Sequence, residues 1–252
     1  MDTSLITTSL PQIAKLIDHS LLHPTLTDSE IHAGLELARE LQVAAACVKP
    51  YSVPIAKEIL DDTGVAICAV VGFPHGNSMT AIKALEAEQA VRDGATEIDM
   101  VVNIGKVLGR DWEYVQNEIK DVNEKVTRGG ALLKVNLEND FFDIIHLCKI
   151  CSILSVAYVK TSTGYGFVKQ PNGSYTYKGA TMPHLKLMKA NVGPSVHIEA
   201  AGGVQTLHEV LVAMSLGVSR IGTTATKAIL NEAAGRGIGT TPVQIALPRG
   251  WK

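Results

Sequence analysis

The chain has 252 residues, of which 46% are hydrophobic, and its 23 basic and 25 acidic side chains give a formal net charge of −2. This balance does not favour a nucleic acid or a membrane surface as a partner. No apolar run approaches the roughly 18 residues that span a bilayer. The first residues, MDTSLITTSLPQ, lack the basic segment followed by an apolar one that is typical of a secretory signal. We therefore expect a cytoplasmic protein.

The four cysteines are Cys47, Cys68, Cys148 and Cys151. Cys148 and Cys151 form a CxxC pair, but neither a second pair nor a nearby histidine completes a zinc site. Both fall in a segment with a helical pattern, DFFDIIHLCKICSIL, where packing is the simpler explanation. The sequence thus predicts reduced thiols and no bound metal.

Short apolar or alternating segments, which are typical of strands, occur at 14–18, 43–48, 66–72, 96–102, 131–138, 156–160, 196–201 and 218–222. Helical stretches lie between them. Thr27 and Asp28 are capping candidates for one helix, while Ser78 begins and Gly94 ends another. Eight strands that alternate with helices in about 230 residues predict a closed (β/α)8 barrel. An open doubly wound sheet is less consistent, because no GxGxxG follows the first strand.

We interpret residues 1–252 as a single TIM-barrel domain of the α/β class. It has a short N-terminal segment at 1–12 and a C-terminal tail at 236–252. A polar insert, VKQPNGSYTYK at 168–178, separates the sixth strand from its helix. In a barrel this connection lies on the active face.

The fifth strand shows how side chains are expected to orient. Leu133, Val135 and Leu137 alternate with polar residues, and in a parallel barrel the outer face is covered by helices. The polar set therefore points inward: Lys134, Asn136 and Glu138.

Similar reasoning brings further polar side chains to the interior, namely Asp18, Cys47, Lys49, Asp99, Lys160 and Glu199. The predicted cavity then holds three cations (Lys49, Lys134, Lys160) and four anions (Asp18, Asp99, Glu138, Glu199). Buried charges are costly unless they are paired, so such a cluster favours a functional site. The structural alternative is an ion-pair network that fills the barrel.

Lys160 ends the segment AYVK and is followed at once by the turn TSTGYG. Burial favours the neutral form of a lysine, and a neutral amine can attack a carbonyl and form a Schiff base. The iminium is an electron sink for making or breaking an adjacent C–C bond. Asp99 is then a candidate for the proton transfers, and this chemistry requires no cofactor.

Two glycine-bearing turns after the last strands indicate a phosphate site. They read Ala201-Gly202-Gly203-Val204 and Gly222-Thr223-Thr224-Ala225. Loops at these places in a barrel commonly bind phosphate through backbone N–H groups and a helix N-terminus. The plain alternative is two ordinary βα turns.

These motifs resemble those of the deoxyribose-phosphate aldolase family, over roughly residues 13–229. The matching segments are LIDHSLLHPT (16–25), ACVKPY (46–51), VVGFPHG (70–76), EAEQAVRDGATEIDMVVNIG (86–105), LLKVNLE (132–138), YVKTSTGYG (158–166), GAT (179–181), AAGGVQT (200–206) and RIGTT (220–224). IDMVVNIG combined with VKTSTG is highly specific for that family.

The resemblance implies a TIM barrel that cleaves 2-deoxyribose 5-phosphate to acetaldehyde and glyceraldehyde 3-phosphate. It places the Schiff-base lysine at Lys160, the catalytic aspartate at Asp99, and further active-site residues at Asp18 and Cys47. The phosphate loops fall on Gly202, Gly203, Gly222, Thr223 and Thr224. We also assign Lys49, Lys134 and Thr163 to substrate binding, and the family leads us to expect a homodimer.

One position departs from the family pattern. Where the family carries a lysine just before the AGG turn, this chain has Glu199, which we assign a catalytic role. A carboxylate there should favour the ammonium form of Lys160 and raise its pKa. Glu199 is interpreted in three ways: as a general base with altered substrate scope, as the partner of a cation supplied by Lys49 or Lys134, or as the mark of a weakened enzyme.

His23 also replaces a family lysine, and a lone histidine there is more typical of a structural or surface residue. The sequence thus predicts a cofactor-independent class I aldolase whose partner is a small phosphorylated sugar. The alternatives are the same chemistry on another deoxy-sugar phosphate or aldehyde pair, and a phosphate-binding barrel that has lost turnover.

Overall fold

The computed structural model describes residues 5–141, 144–247 and 250–251. Its strands are β1 (Leu5–Thr8), β2 (Ile17–Ser20), β3 (Ala45–Val48), β4 (Ala66–Val71), β5 (Glu97–Val101), β6 (Leu132–Asn136), β7 (Tyr158–Lys160), β8 (Val168–Lys169), β9 (Tyr175–Thr176), β10 (His197–Ala201), β11 (Arg220–Thr223) and β12 (Val243–Ala246). The predicted segments 1–12, 236–252 and the helix over 140–154 each include residues outside these ranges.

The helices are α1 (Leu10–Ala14), α2 (Asp28–Glu40), α3 (Val53–Leu60), α4 (Thr80–Asp93), α5 (Ile104–Leu108), α6 (Trp112–Arg128), α7 (Ile145–Ile153), α8 (Met182–Asn191), α9 (Leu207–Ser215) and α10 (Thr226–Gly235). A 3-10 turn, Pro50–Ser52, precedes α3. No helix within the described residues is both long and apolar enough to cross a membrane.

Eight parallel strands close into a barrel in the order β2-β3-β4-β5-β6-β7-β10-β11, with β11 pairing β2. The predicted (β/α)8 barrel is therefore confirmed. Its first strand begins at Ile17 rather than at residue 14, because Ser9 and Gln12 form a capping box that starts α1 in front of it.

The alternation predicted for β6 is also confirmed. Leu133 and Val135 are buried in the main core between strands and helices, whereas the Lys134 side chain contacts carboxylates from other strands of the barrel. A smaller apolar cluster, separate from the main core, consists of Leu22, Ala45, Cys47, Cys68 and Val70.

The helix ends test the caps that were predicted from the sequence. Thr27 caps α2 in a capping box with Glu30, and Gly94 ends α4 in the left-handed conformation, as expected. The N-cap of α4 is Met79 rather than Ser78. Cys148 and Cys151 lie on α7 and belong to the hydrophobic core, which confirms their packing role.

Two small sheets lie outside the barrel. Strands β1 and β12 pair antiparallel and join the two ends of the described chain. Strands β8 and β9 form an exposed hairpin within the polar insert. The insert reaches the active face, as predicted, since Tyr177 at its end lines the cavity there.

Candidate active site

A cavity of about 320 Å³ opens at the C-terminal ends of the barrel strands. Lys160 and Cys47 line it together with the loops that follow β7, β10 and β11. This is the end of the barrel at which parallel βα loops converge and at which barrel enzymes place their chemistry.

Lys160 is the last residue of β7 and is only 4% exposed. Its Nζ contacts Asp99 Oδ2, and it lies 2.9 Å from Glu199 Oε1. Glu199 stands beside Lys160 in the register of β10 on β7. The structure thus brings together the three residues that the sequence predicted as catalytic.

Lys134 forms ion pairs with three carboxylates inside the barrel. Its Nζ lies 2.7 Å from Asp18, 2.8 Å from Glu97 and 3.0 Å from Glu199. Arg220 in turn contacts Glu97 at 2.5 Å. We call these seven side chains the barrel network: Asp18, Glu97, Asp99, Lys134, Lys160, Glu199 and Arg220. It contains four carboxylates and three cations, as the sequence predicted, but two of its members differ.

The first difference concerns Lys49, which was predicted inside the cavity. Strand β3 ends at Val48, so Lys49 is the N-cap of the 3-10 turn Pro50–Ser52 rather than a strand residue. Its Nζ binds the carbonyl oxygens of His23 and Leu26 at 3.3 and 3.4 Å. It does not line the cavity, and the prediction that it belongs to the charge cluster is wrong. Arg220 supplies the third cation instead.

The second difference concerns Glu138, which has a left-handed backbone just past the end of β6. Its Oε1 accepts a hydrogen bond from the Thr163 amide, and the side chain is not part of the barrel network. Glu97 takes the fourth acidic position. Period-two alternation with Asp99 could have identified Glu97, because both lie on β5 and point inward.

Opposing effects set the pKa values in the network. Burial favours neutral Lys160, but Asp99 and Glu199 outweigh it and raise the pKa of Lys160 well above its ordinary range. Burial likewise opposes the charge of Glu199, yet Lys134 and Lys160 lower its pKa to about 2. Burial dominates for Asp18, whose pKa rises to about 6, and it also raises the pKa of Asp99.

The two predicted phosphate turns meet at one side of the cavity. Gly202, Gly203, Gly222, Thr223 and Thr224 all line it. The Thr223 hydroxyl donates to the Val204 carbonyl at 2.6 Å, which ties one turn to the other. Aromatic rings also line the cavity, where Phe73 packs edge-on against Tyr165 at a centroid distance of 5.4 Å. Tyr177 and His23 complete this aromatic wall.

One cluster has the residue types of a metal site. Ligand atoms of Asp18, Cys47, Cys68 and Asp99 all lie within 4.8 Å of one another. However, lysines already pair with both aspartates, and burial raises the pKa of the Cys68 thiol. Protonated thiols and neutralised carboxylates are poor ligands, so this group fits ion pairing better than a metal ion.

Comparison with known proteins gives the family. The profile of the DeoC/LacD family aldolase matches residues 12–232. The chain is 45% identical over 224 residues to a deoxyribose-phosphate aldolase of Rhodopirellula baltica, with 88% of this chain and 89% of the relative covered. It is 40% identical to one of Caldanaerobacter subterraneus, with coverage of 92% and 97%.

Solved structures agree. The aldolase QR15 superposes with a TM-score of 0.80 at 31% identity and covers 89% of this chain and 97% of its own. A tetrameric deoxyribose phosphate aldolase from Aeropyrum pernix gives 0.79 at 26% identity, with coverage of 90% and 92%. The chain belongs to the deoxyribose-phosphate aldolase family. It is thus an aldolase, a carbon–carbon lyase, and the predicted resemblance is confirmed.

Proposed function

We propose that the protein reversibly cleaves 2-deoxy-D-ribose 5-phosphate to acetaldehyde and D-glyceraldehyde 3-phosphate through a Schiff base on Lys160. One observation carries the proposal: among the described residues that line the cavity, Lys160 is the only lysine. Its Nζ lies at the point where the cavity meets two buried carboxylates. An amine in this position can reach a bound carbonyl while its proton passes to a neighbour.

The proposed reaction begins at Lys160. Asp99 accepts a proton from Lys160, and the neutral amine attacks C1 of the open-chain sugar, after which water leaves and an iminium forms. Asp99 gives up its proton to the departing water and then accepts the proton of the C3 hydroxyl. The C2–C3 bond breaks, and its electron pair moves into the iminium to give an enamine. Glyceraldehyde 3-phosphate departs. Protonation of the enamine carbon and hydrolysis then release acetaldehyde and restore the amine.

Asp99 is suited to carry the proton. Its Oδ2 contacts Lys160 Nζ, while its buried Oδ1 has no hydrogen-bond partner among the described residues. A raised pKa brings a carboxyl group closer to the range in which it both takes up and releases protons, and burial raises that of Asp99.

The phosphate end of the substrate is proposed to bind at the two glycine turns. Gly202, Gly203, Gly222, Thr223 and Thr224 line the cavity there. We propose the backbone of these turns and the Thr224 hydroxyl as donors, because the Thr223 hydroxyl already donates to Val204. Backbone and hydroxyl donors of this kind hold phosphate without a cationic side chain. Asp18, Cys47 and Thr163 also line the cavity and are proposed to contact the sugar.

A second aldehyde pair is a specific alternative. The aromatic wall, formed by His23, Phe73, Tyr165 and Tyr177, adds ring surfaces to the cavity. Such a wall suits an aldehyde with a larger apolar substituent than acetaldehyde. A panel of donor and acceptor aldehydes, ranked by kcat/KM, distinguishes this reading from the leading one.

The decisive experiment is intact-mass spectrometry after borohydride reduction with acetaldehyde or deoxyribose 5-phosphate. We expect a stable adduct that peptide mapping assigns to Lys160 and that is absent from Lys160→Ala. An adduct on another lysine, or none between about pH 6 and pH 10, contradicts the proposal and favours a barrel that binds phosphate without turnover.

We also propose that residues 1–252 form one catalytic domain in a reducing, cytoplasmic location, and that two copies form a dimer. Cys47 and Cys68 support the redox part, since their sulfur atoms lie 3.6 Å apart as thiols. Cell fractionation tests the location. Light scattering on the purified protein tests the dimer, and a monomer would contradict it.

A further inference from the structure

Both carboxylate oxygens of Glu199 form ion pairs with lysines, and Oε2 also accepts a hydrogen bond from Lys134. Oε1 lies 2.9 Å from Lys160 Nζ, and Oε2 lies 3.0 Å from Lys134 Nζ. The side chain is fully buried and does not line the cavity. Glu199 thus touches the reacting amine from the side that the substrate does not reach.

This geometry separates the interpretations that the sequence left open. A general base needs a carboxylate oxygen that is free to take up a proton. Neither Glu199 nor Asp99 lines the cavity, but both oxygens of Glu199 form ion pairs with lysines, whereas Asp99 Oδ1 has no partner among the described residues. Lys49 binds the carbonyl oxygens of His23 and Leu26 and forms no ion pair with Glu199. Lys134 is therefore the cation that balances Glu199, and the two form a bridge that ends at Lys160.

We propose that Glu199 sets the protonation of Lys160, and that Lys134 is a positioning residue that acts through Glu199. The inference rests on the proposed Schiff-base function and adds that this chain's charge bridge sets the pH at which the imine forms. Because the carboxylate stabilises the ammonium form, imine formation should require a higher pH than the same site with a neutral residue at position 199.

The other groups that face Lys160 do not duplicate this bridge. Asp99 on β5 contacts the same nitrogen but keeps an unpartnered oxygen, which suits it to transfer a proton. Asp18 on β2 is bound by Lys134, and Cys47 on β3 forms a sulfur contact with Cys68. The register neighbour of Lys160 on β6 is Asn136, an uncharged residue.

Gly222 supports the same contact by leaving room for it. A Cβ at this position would lie 3.1 Å from Glu199 Oε1 and 3.6 Å from Lys160 Cε. The backbone of Gly222 has an ordinary conformation, so the glycine matters here because it leaves space and not because a turn requires it.

The test is the pH dependence of borohydride trapping in the full-length protein, with acetaldehyde as the probe. Glu199→Gln keeps the shape and removes the charge, and we expect its midpoint to fall by about one to two pH units, the range for loss of a close opposite charge. Glu199→Asp, which keeps the charge, should stay nearer the wild-type midpoint. Glu118→Gln is the matched control, because Glu118 is also a fully buried carboxylate paired with a buried lysine but lies outside the network.

An unchanged or higher midpoint in Glu199→Gln, or an equal shift in Glu118→Gln, overturns the inference. If no protein, wild type included, forms an adduct, the proposed function fails first. A second measurement needs no variant: the 15N resonance of Lys160 Nζ, assigned by its loss in Lys160→Ala, should titrate above free lysine. Titration below free lysine also overturns the inference.

Discussion

Lys83 and Lys160 are both buried lysines that contact carboxylates, but their pKa values shift in opposite directions. Lys83, on α4, pairs with Glu118 of α6 at 2.9 Å, and both side chains are fully buried. Burial lowers the pKa of Lys83 despite Glu118, and it raises the pKa of Glu118 despite Lys83. For Lys160, Asp99 and Glu199 together outweigh burial.

The number of carboxylates accounts for the difference. The attraction of one carboxylate does not offset the desolvation cost of a charged lysine, so the pKa of each partner in the Lys83–Glu118 pair shifts toward the neutral form. The attraction of two carboxylates at one nitrogen does offset that cost. The barrel network therefore holds a fully charged lysine at the cavity, whereas the Lys83–Glu118 pair is a structural contact between helices.

The largest expected effect comes from Lys134→Met. The substitution leaves Asp18, Glu97 and Glu199 without their shared cation. We expect a loss of about 5 kcal/mol in the free energy of unfolding, the upper end for breaking a buried ion pair, because three carboxylates lose their partner at once. Lys83→Met should cost about 3 kcal/mol, since Glu118 can accept a proton. Urea unfolding at neutral pH measures both.

Double substitutions provide the control for this prediction. Lys83→Met with Glu118→Leu should return to within about 1 kcal/mol of wild type, because an apolar pair replaces the whole ion pair. Lys134→Met with Glu199→Leu should not recover, since Asp18 and Glu97 stay buried. A Lys134→Met protein no less stable than Lys83→Met would contradict the argument from carboxylate number.

Glu138 extends the comparison to a buried carboxylate with no cation, since no lysine or arginine among the described residues forms an ion pair with it. Burial raises its pKa from 4.5 to about 7 in spite of the hydrogen bond from Thr163. Its stabilising contribution is therefore present below pH 4.5 and is lost as the pH rises through about 7. At pH 8, Glu138→Gln should be more stable than wild type by about 3 kcal/mol.

The measurement is the difference in unfolding free energy between Glu138→Gln and wild type from about pH 4 to about pH 8. The difference should be near zero at the acid end and grow with pH. Taking the difference cancels His19, whose pKa burial lowers to about 4 and whose contribution therefore changes with the opposite sign. A flat difference would show that Glu138 ionises freely in the folded protein.

The barrel and the inward orientation of Lys134 could be predicted from the sequence, because both depend on local alternation. Lys134 lies inside a regular strand, so period-two reasoning holds for it. The same reasoning failed for Lys49, since β3 ends one residue earlier and the parity of a strand does not extend into a turn.

Long-range pairing was beyond sequence reasoning. Arg220 and Glu97 are 123 positions apart and meet only because the barrel closes between β11 and β2. Glu199 pairs with both Lys134 and Lys160 instead of lining the cavity. This pairing depends on strand register and on the length of the side chains. A single sequence predicts which residues point inward but not which of them touch.

The smallest expected effect tests the space around the two lysines. At Gly222, an added Cβ meets the Lys160–Glu199 contact and lies 2.8 Å from the Ala201 side chain. At Gly72 it lies 2.8 Å from Lys83 Cε, with φ at +62°. Gly222→Ala should slow borohydride trapping by about tenfold, because displacement of the reacting amine lowers the rate steeply. Gly72→Ala should instead lose about 1–2 kcal/mol of stability through its left-handed backbone.

The two variants together show whether the lysines serve different purposes. Trapping rate and urea midpoint are measured for each protein at the same pH. Gly222→Ala should change mainly the rate, and Gly72→Ala mainly the midpoint, because the Lys83–Glu118 pair beside Gly72 shares no ion pair with Lys160, which pairs with Asp99 and Glu199. If both variants slowed trapping equally, the Lys83–Glu118 pair would have to be coupled to the active site, and the distinction between a structural and a reactive buried lysine would fail.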